Sequence, residues 1–297
     1  MEPERIVSCY RELAPSEALK DHVRAFFSFT PPSDRPAVTR RMTSEVIFRA
    51  GHSFCSPMFA DGHASIVFDL GMACHLDGVW RPDLFRGRLI GAITCVGPVF
   101  EATRPAMVGA YFRGGQIPSI AYLPAFEFTD KVVSLEDIWS AGSRLALELS
   151  ELSEEQRIDR LEALLLQRMG RSLMTNSLVD MPHLVSFALE NRGHVDVGTL
   201  ANLAGVSRQH LARLFREWVG VSPKLYCRLA RFQSALYYAT VGNNVDWAQA
   251  ALETGYADQS HMIAEFREFS SLTPRQLTTE RWFHPFIEHA RLKPRNS

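Results

Sequence analysis

The stretch GVSRQHLARLFREWVGVSP, residues 205–223, predicts a short helix with two unlike faces. Leu211, Phe215 and Trp218 follow one another at helical spacing, which places them on one apolar stripe. Ser207 precedes the helix as a suitable N-cap. The opposite face carries Arg208, Gln209, Ala212, Arg213 and Arg216. In isolation this pattern is typical of a surface helix with a solvated basic face, so the surrounding sequence has to decide its role.

The same pattern recurs 51 residues later in the chain. Ser207, Leu211, Phe215, Trp218, Ser222 and Pro223 return as Asp258, Met262, Phe266, Phe269, Thr273 and Pro274. Each copy follows a helix of small residues that ends in glycine, LANLAGV and QAALETGY, and the second turn is one residue longer. A helix, a glycine turn and an N-capped second helix form a helix-turn-helix. The stretch PKLYCRLARFQSALYYAT predicts one long helix between the two copies.

Length and composition indicate a folded protein of two domains. The chain has 297 residues, of which 46% are hydrophobic and 22% charged. It contains no long apolar run, and its first residues lack the pattern of a signal peptide, so we expect a cytoplasmic protein with no membrane partner. Its five scattered cysteines predict reduced thiols rather than disulfides or a zinc site.

The basic residues are concentrated in the first copy of the repeat. The formal net charge is -1, yet the segment 208–231 holds six Arg and Lys residues against the single acid Glu217. Such a patch on a nearly neutral protein favours a polyanionic partner.

The N-terminal part has the pattern of a β-rich domain. ASIVFDLG, RLIGAITCVG and AMVGAYFRGG are short apolar runs that predict strands of a barrel or sandwich. From about residue 135 the period becomes helical, and Ser153 with Gln156 forms a capping box. The apolar positions that follow, Ile158, Leu161, Leu165 and Met169, suit either a linker helix or pairing with a second subunit.

The predicted fold class is therefore α+β. We expect a β-rich, barrel-like sensor or dimerisation domain over residues 1–140, for which a cupin-like barrel is one candidate. A helical linker follows over 141–180. An all-α domain with two helix-turn-helix units joined by a long helix occupies 181–280, and a tail 281–297.

The double motif closely resembles the C-terminal DNA-binding domain of the AraC/XylS family of bacterial transcription regulators. The match lies in LANLAGVSRQHLARLFREWVGVSPKLYCRLARFQSAL and WAQAALETGYADQSHMIAEFREFSSLTPRQL. ADGHASIVFDLG, FRGGQIPSIAYLPAFEFTDKVVSLEDIW and YRELAPSEALKDHV resemble a sensor-like domain that precedes this module in one branch of the family. The resemblance implies sequence-specific binding to double-stranded promoter or operator DNA, with the second helix of each unit in a major groove.

Arginine and glutamine can pair with base edges, whereas helix N-termini and lysine bind phosphates. The predicted base contacts are Arg208, Gln209, Arg213, Gln259, Ser260 and His261. The predicted phosphate contacts are Ser207, Arg216, Lys224, Arg228 and Arg267. The second unit has Ala264 where relatives commonly carry arginine, followed by Glu265, and six acids lie between Asp246 and Glu280. We therefore expect the first unit to supply most of the specificity.

Enzyme activity is not expected from these residues, and neither is a cofactor. DNA-repair methyltransferases share the module, but Cys74 stands in MACHLDG, without their Pro-Cys-His-Arg motif. A metal-dependent cupin would need clustered ligands, and His52, His63 and His75 do not have that spacing. No metal site is expected.

Two roles for the N-terminal domain stay open. It either binds a small effector or only dimerises and contacts a protein partner. The weak effector candidates are Arg40, Arg41, Arg81, Arg86 and Arg88, which would suit an anion such as a carboxylate or nucleotide. We also expect a homodimer, formed through the barrel or the 153–169 helix, and contact with RNA polymerase if the protein activates transcription.

Overall fold

The computed structural model describes residues 10–29, 53–57, 60–70, 72–76, 79–80, 87–96, 99–103, 106–139, 142–169, 179–241 and 246–279. The predicted tail 281–297 lies outside these ranges.

Two antiparallel sheets form the N-terminal half of the chain. Their strands are Tyr10–Leu13 (β1), Val23–Phe29 (β2), Ser53–Pro57 (β3), Ser65–Asp69 (β4), Met72–Leu76 (β5), Val79–Trp80 (β6), Arg88–Ile90 (β7), Val99–Thr103 (β8), Met107–Phe112 (β9) and Val132–Ser134 (β10). The larger sheet has the order β1-β2-β9-β4-β7-β10, and the smaller has the order β3-β8-β5-β6.

The three apolar runs predicted as strands become β4, β7 and β9, which are neighbours in the larger sheet. Every residue of β2 and β4 is buried, as expected for strands covered on both faces. Gly109 in β9 allows this packing, because a Cβ atom there would lie 2.2 Å from the carbonyl oxygen of Ile66.

The predicted α+β class is confirmed, with one refinement to the barrel. Among the described strands no ladder joins the six-stranded sheet to the four-stranded one, so the barrel is not closed. The N-terminal domain is therefore a pair of sheets rather than a continuous cylinder.

Over the described residues up to 169, three helices follow or interrupt the strands: Ile117–Ala121 (α1), Gly142–Glu151 (α2) and Glu154–Met169 (α3). The predicted capping box is present, since the Ser153 amide donates to Gln156 and the Gln156 amide donates to the Ser153 hydroxyl. Ile158, Leu161 and Leu165 are buried in the same core as the strands of the larger sheet. The apolar stripe of α3 is thus occupied within the chain, and a second copy would have to use another face.

Seven helices make up the C-terminal half over the described residues 179–241 and 246–279. They are Met181–Glu190 (α4), Val197–Leu203 (α5), Arg208–Trp218 (α6), Pro223–Val241 (α7), Trp247–Glu253 (α8), Gln259–Ser270 (α9) and Pro274–Thr279 (α10). Helices α5 and α6 form the first predicted unit, and α8 and α9 form the second. Helix α7 belongs to both, because Tyr226 packs in the core of the first unit and Phe232 in that of the second.

In the part of the chain that the structure describes, no helix is both long enough and apolar enough to span a membrane.

Candidate nucleic-acid interface

In each unit an N-cap and a preceding glycine turn define the start of the second helix. Ser207 and Asp258 cap α6 and α9, accepting hydrogen bonds from the amides of His210 at 3.1 Å and His261 at 2.8 Å. The turn before each cap contains a glycine in the left-handed region, with φ of +64° at Gly205 and +80° at Gly255. The structure therefore contains the predicted repeat, including both N-caps and both glycine turns.

The apolar stripes of the two helices lie in separate cores. Leu211 and Phe215 of α6 are fully buried in the first core, and Met262 and Phe266 of α9 in the second. Trp218 is only partly buried at the end of α6. These residues hold the helices in place and leave the opposite faces for other contacts.

The predicted contact residues of the first unit come together on one exposed face of α6. Ser207, Arg208, Gln209, Arg213 and Arg216 are all exposed. The Arg208 guanidinium lies against the first turn of α5, where a Cβ added to Gly198 would come 2.6 Å from its Nη2 atom. The guanidinium of Arg213 is exposed, and its contact with the carboxylate of Glu217 is long, at 3.9 Å.

His210 is a candidate contact that the sequence argument missed. It is exposed on α6, and its Nε2 atom lies 3.3 Å from Nη2 of Arg213. The repeat in the sequence could have identified His210 as a contact. Adding 51 residues to its number gives His261, which was predicted as a contact in the second unit.

The second unit exposes a less basic face. Gln259, Ser260, His261, Ala264 and Arg267 are exposed on α9, in the positions that the repeat predicts. Arg267 is the counterpart of Arg216, whereas Ala264 stands opposite Arg213 in the alignment of the two copies. The described surface of α9 thus retains one arginine on this face.

Glu265 was counted among the acids that weaken DNA binding by the second unit, but it does not lie on the exposed face of α9. Its side chain is buried, with 3% of the residue exposed, and it faces α7 rather than solvent. The Oε1 atom lies 2.7 Å from Nε of Arg228, 3.7 Å from Arg231 and 3.7 Å from Nε2 of His261. In the repeat Glu265 corresponds to buried Leu214, so the acid occupies a core position whose charge is balanced by α7.

Arg228, one of the predicted phosphate contacts, is paired with acids of α9. Its second guanidinium nitrogen donates to Glu268 at 2.5 Å, so two carboxylates already neutralise it. Its guanidinium also stacks over the Phe269 ring at 4.9 Å. Arg228 therefore fastens α9 to α7, while Lys224, one turn earlier, is exposed.

The predicted effector candidates are mostly outside the described residues. Outside the described residues lie Arg40, Arg41, Arg81 and Arg86. The remaining candidate, Arg88, lies buried in β7. There it pairs with Asp69, which binds both of its terminal nitrogens. The ion pair between two buried strands gives Arg88 a partner within the fold.

Of the three histidines weighed as metal ligands, only His63 has a described side chain. It lies in the loop before β4, with its ring edge-on to Tyr226 of α7 at 6.4 Å. Within the described residues no three His, Cys, Asp or Glu side chains gather as a metal site.

Comparisons with known proteins agree with this geometry for the C-terminal half. Residues 200–280 match a family described as a helix-turn-helix domain. A Haemophilus influenzae protein, an uncharacterized HTH-type transcriptional regulator by name, is 32% identical over 87 residues. That alignment covers 29% of this chain and 28% of the relative, so the chain spans under a third of the protein that it matches.

Two crystal structures of ToxT from Vibrio cholerae are similar over more of the chain. One aligns at 11% identity over 77% of this chain and 97% of that one, with a TM-score of 0.43. The other, unsaturated fatty acid bound ToxT from strain SCE256, aligns at 11% identity over 81% and 98%, with a TM-score of 0.41. Both scores are low.

The resemblance that the repeat suggested is thus confirmed where the match is strong. Residues 200–280 match a helix-turn-helix domain, and in this stretch two copies of the motif share one long helix.

Proposed function

We propose that this chain is a sequence-specific DNA-binding transcription regulator whose N-terminal domain controls its double helix-turn-helix. The observation that carries the proposal is the pair of capped helices α6 and α9, each packed by its apolar stripe and exposed along its polar face. A helix held in this way fits the major groove, where its side chains meet the base edges.

The first unit supplies most of the sequence specificity. Arg208, Gln209 and Arg213 are its base contacts, because arginine pairs bidentately with guanine and glutamine with adenine. Exposed Arg216 and Lys224, together with the capped N-terminus at Ser207, hold phosphates.

The second unit contributes Gln259, Ser260 and His261 to base contacts and Arg267 to a phosphate. Its weaker specificity follows from Ala264 in the position of Arg213, and not from the acid next to it, which is buried and paired. Asymmetry between the units therefore rests on one missing guanidinium rather than on repulsion from the phosphates.

The N-terminal domain is in direct contact with the end of α6. The Thr129 hydroxyl donates to the Gly220 carbonyl oxygen at 2.8 Å. The Arg216 guanidinium lies 5.4 Å from the centre of the Phe126 ring, which belongs to the 3-10 turn Ala125–Glu127. A change in the N-terminal domain thus has a short route to a predicted phosphate contact, which supports control by that domain.

Fluorescence anisotropy tests the proposal on DNA from upstream of the gene, against a scrambled duplex and across a salt series. The wild type should prefer the upstream DNA, and Arg213→Ala should lose about 1–3 kcal/mol of that preference. Arg144→Ala is the matched control, since Arg144 is exposed on α2 and loses the same charge. Equal binding of both duplexes by the wild type, or an equal loss in the control, would contradict the proposal.

Effector binding and homodimer formation are the further parts of the proposal. Anionic metabolites, carboxylates and nucleotides first, are screened by whether they change the anisotropy of the complex. Sedimentation of the purified protein tests the homodimer, and pull-down of RNA polymerase tests the contact that an activator requires. A monomer whose DNA binding responds to no such ligand would exclude both parts.

A further inference from the structure

The loop Ala60–Ala64, which we call the clamp loop, is buried although it has no regular secondary structure. Loops usually lie at the surface, because their backbone groups need partners. This loop finds its partners in the DNA-binding domain, more than 150 residues away in the sequence.

The two backbone groups of Ala60 bind two different helices of that domain. Its amide donates to the carbonyl oxygen of Phe269 at 3.3 Å, in the last turn of α9. Its carbonyl oxygen accepts from Nε2 of Gln233 in α7 at 2.6 Å. Carbonyl groups in the last turn of a helix have no partner within the helix, so the first of these bonds completes the end of α9.

The side chain of Ala60 is part of the second core. It is fully buried in a cluster with Leu229, Phe232, Phe266 and Phe269, which otherwise consists of residues from α7, α8, α9 and the turns beside them. An N-terminal residue thus completes the core that positions the second recognition helix.

The remainder of the clamp loop reaches the first unit. A Cβ added to Gly62, where φ is +69°, would lie 3.1 Å from Leu229 and 3.6 Å from Tyr226. The His63 ring is edge-on to the ring of Tyr226, which in turn packs at 6.0 Å against Phe215 of α6. The clamp loop therefore contacts the cores of both units.

The clamp loop is anchored in its own domain at the same time. The amides of Asp61 and Gly62 both donate to the carbonyl oxygen of Ile93, at 3.2 Å and 3.3 Å. A shift of the strand end near Ile93 would consequently be transmitted through the loop to α7 and α9.

We propose that the clamp loop fixes the position of α9 relative to α6 and so sets the spacing at which the protein engages two stretches of DNA. The effect on the spacing of the DNA contacts rests on the proposed function. The claim that the clamp loop fixes α9 relative to α6 does not. Residues 60, 62 and 63 are then positioning residues for DNA recognition, although none of them faces the exposed side of α6 or α9.

The test measures the distance between the recognition helices in the full chain without DNA. Spin labels are placed at Gln209 and Ser260, which are exposed and equivalent in the repeat. They are attached through an unnatural amino acid so that the cysteines stay intact. Double electron–electron resonance then gives the distribution of distances between α6 and α9.

Two variants loosen the loop from opposite sides. Gly62→Val drives a side chain against Leu229, and Gln233→Ala removes the donor to Ala60 without straining the backbone. Gly115→Val is the matched control, because Gly115 also has a positive φ, +83°, but a Cβ there would meet its nearest atom only at 3.9 Å.

The wild type and Gly115→Val should give one narrow distribution, and both loosening variants a broad or shifted one. Distributions as narrow as the wild type in Gln233→Ala and Gly62→Val would overturn the proposal, as would equal broadening in the control. If Gly62→Val does not fold, Gln233→Ala decides alone.

A second measurement tests the role of the clamp loop in spacing and the proposed function separately. On duplexes selected by the wild type from a random pool, Gln233→Ala should bind a two-site duplex about tenfold more weakly but a single half-site unchanged. Wild-type protein that selects no DNA would refute the proposed function and leave the distance result standing. Equal weakening on both duplexes would refute the role of the clamp in spacing.

Discussion

Replacing Asp61 by asparagine should stabilise the protein at neutral pH. Asp61 lies in the clamp loop, and burial raises the pKa of its carboxyl from 3.8 to about 6, although the charge of His63 and that of Arg24 act against this rise. Its Oδ1 atom accepts a hydrogen bond from the His63 amide at 3.0 Å, and an asparagine keeps that acceptor oxygen. The substitution therefore removes the buried charge and leaves the loop geometry in place.

The size of this stabilisation follows from the difference between the pKa of Asp61 in the folded chain and its pKa in the unfolded chain. Below about pH 3.8 the carboxyl is protonated in both the folded and the unfolded chain, so its ionisation has no effect. Between pH 3.8 and about 6 the unfolded chain ionises while the folded chain keeps its proton, and stability falls as the pH rises. Above that range the ionised group costs about 3 kcal/mol, because one pKa unit corresponds to roughly 1.4 kcal/mol.

Urea unfolding of the wild type and Asp61→Asn, followed from acid to neutral pH, measures this difference. The two proteins should be equally stable near the acid end, and the variant should gain its full advantage by pH 7. Asp69→Asn is the control: it leaves buried Arg88 without its carboxylate, so it should lower the free energy of unfolding by about 3 kcal/mol. A wild type as stable as Asp61→Asn at pH 7, or an advantage that shrinks as the pH rises, would refute the reasoning.

Four further substitutions test the DNA-binding domain. Ser207→Ala removes the cap of α6 and should lower the free energy of unfolding in urea by about 1 kcal/mol; no loss would mean that the cap does not hold the helix. Lys224→Ala should reduce the slope of log affinity against log salt by about 1, whereas Arg228→Ala should leave that slope unchanged, and the reverse order would restore Arg228 as a phosphate contact. Glu265→Ala should destabilise the domain by about 3 kcal/mol, measured by thermal and urea unfolding, because Arg228 and Arg231 lose their shared carboxylate; a stable variant would contradict the pairing.

Features determined by neighbouring residues were predictable from the sequence. The N-caps at Ser207 and Asp258, the capping box at Ser153 and the two glycine turns all depend on residues a few positions apart. The apolar runs that became β4, β7 and β9 were recognised for the same reason, since a buried strand is a local pattern. The fold class and the double motif followed from these local features.

Features determined by distant partners were not predictable in this way. The stripe of α3 was recognised, but whether it would meet its own domain or a second subunit depended on residues far along the chain. Glu265 was counted among the acids that weaken DNA binding by the second unit, although its counterpart Leu214 marked the position as core. The burial of the clamp loop Ala60–Ala64 comes from contacts with α7 and α9, which no local pattern indicates.

Two charged residues have a common role beside the second core. Arg228 was predicted as a phosphate contact and Glu265 was counted among the acids that weaken DNA binding, and together they hold α9 against α7. With Ala60 closing the other side of the same core, α9 is held by an ion-pair network and by a loop from another domain. The first unit is contacted instead by Thr129 at Gly220 and by Phe126 at Arg216. The N-terminal domain thus contributes a core residue to the unit that has Ala264 in the position of Arg213. A signal received by that domain therefore has two routes, one through Thr129 and Phe126 to the end of α6 and one through Ala60 to α9, and only the second changes the spacing that we propose the clamp loop sets.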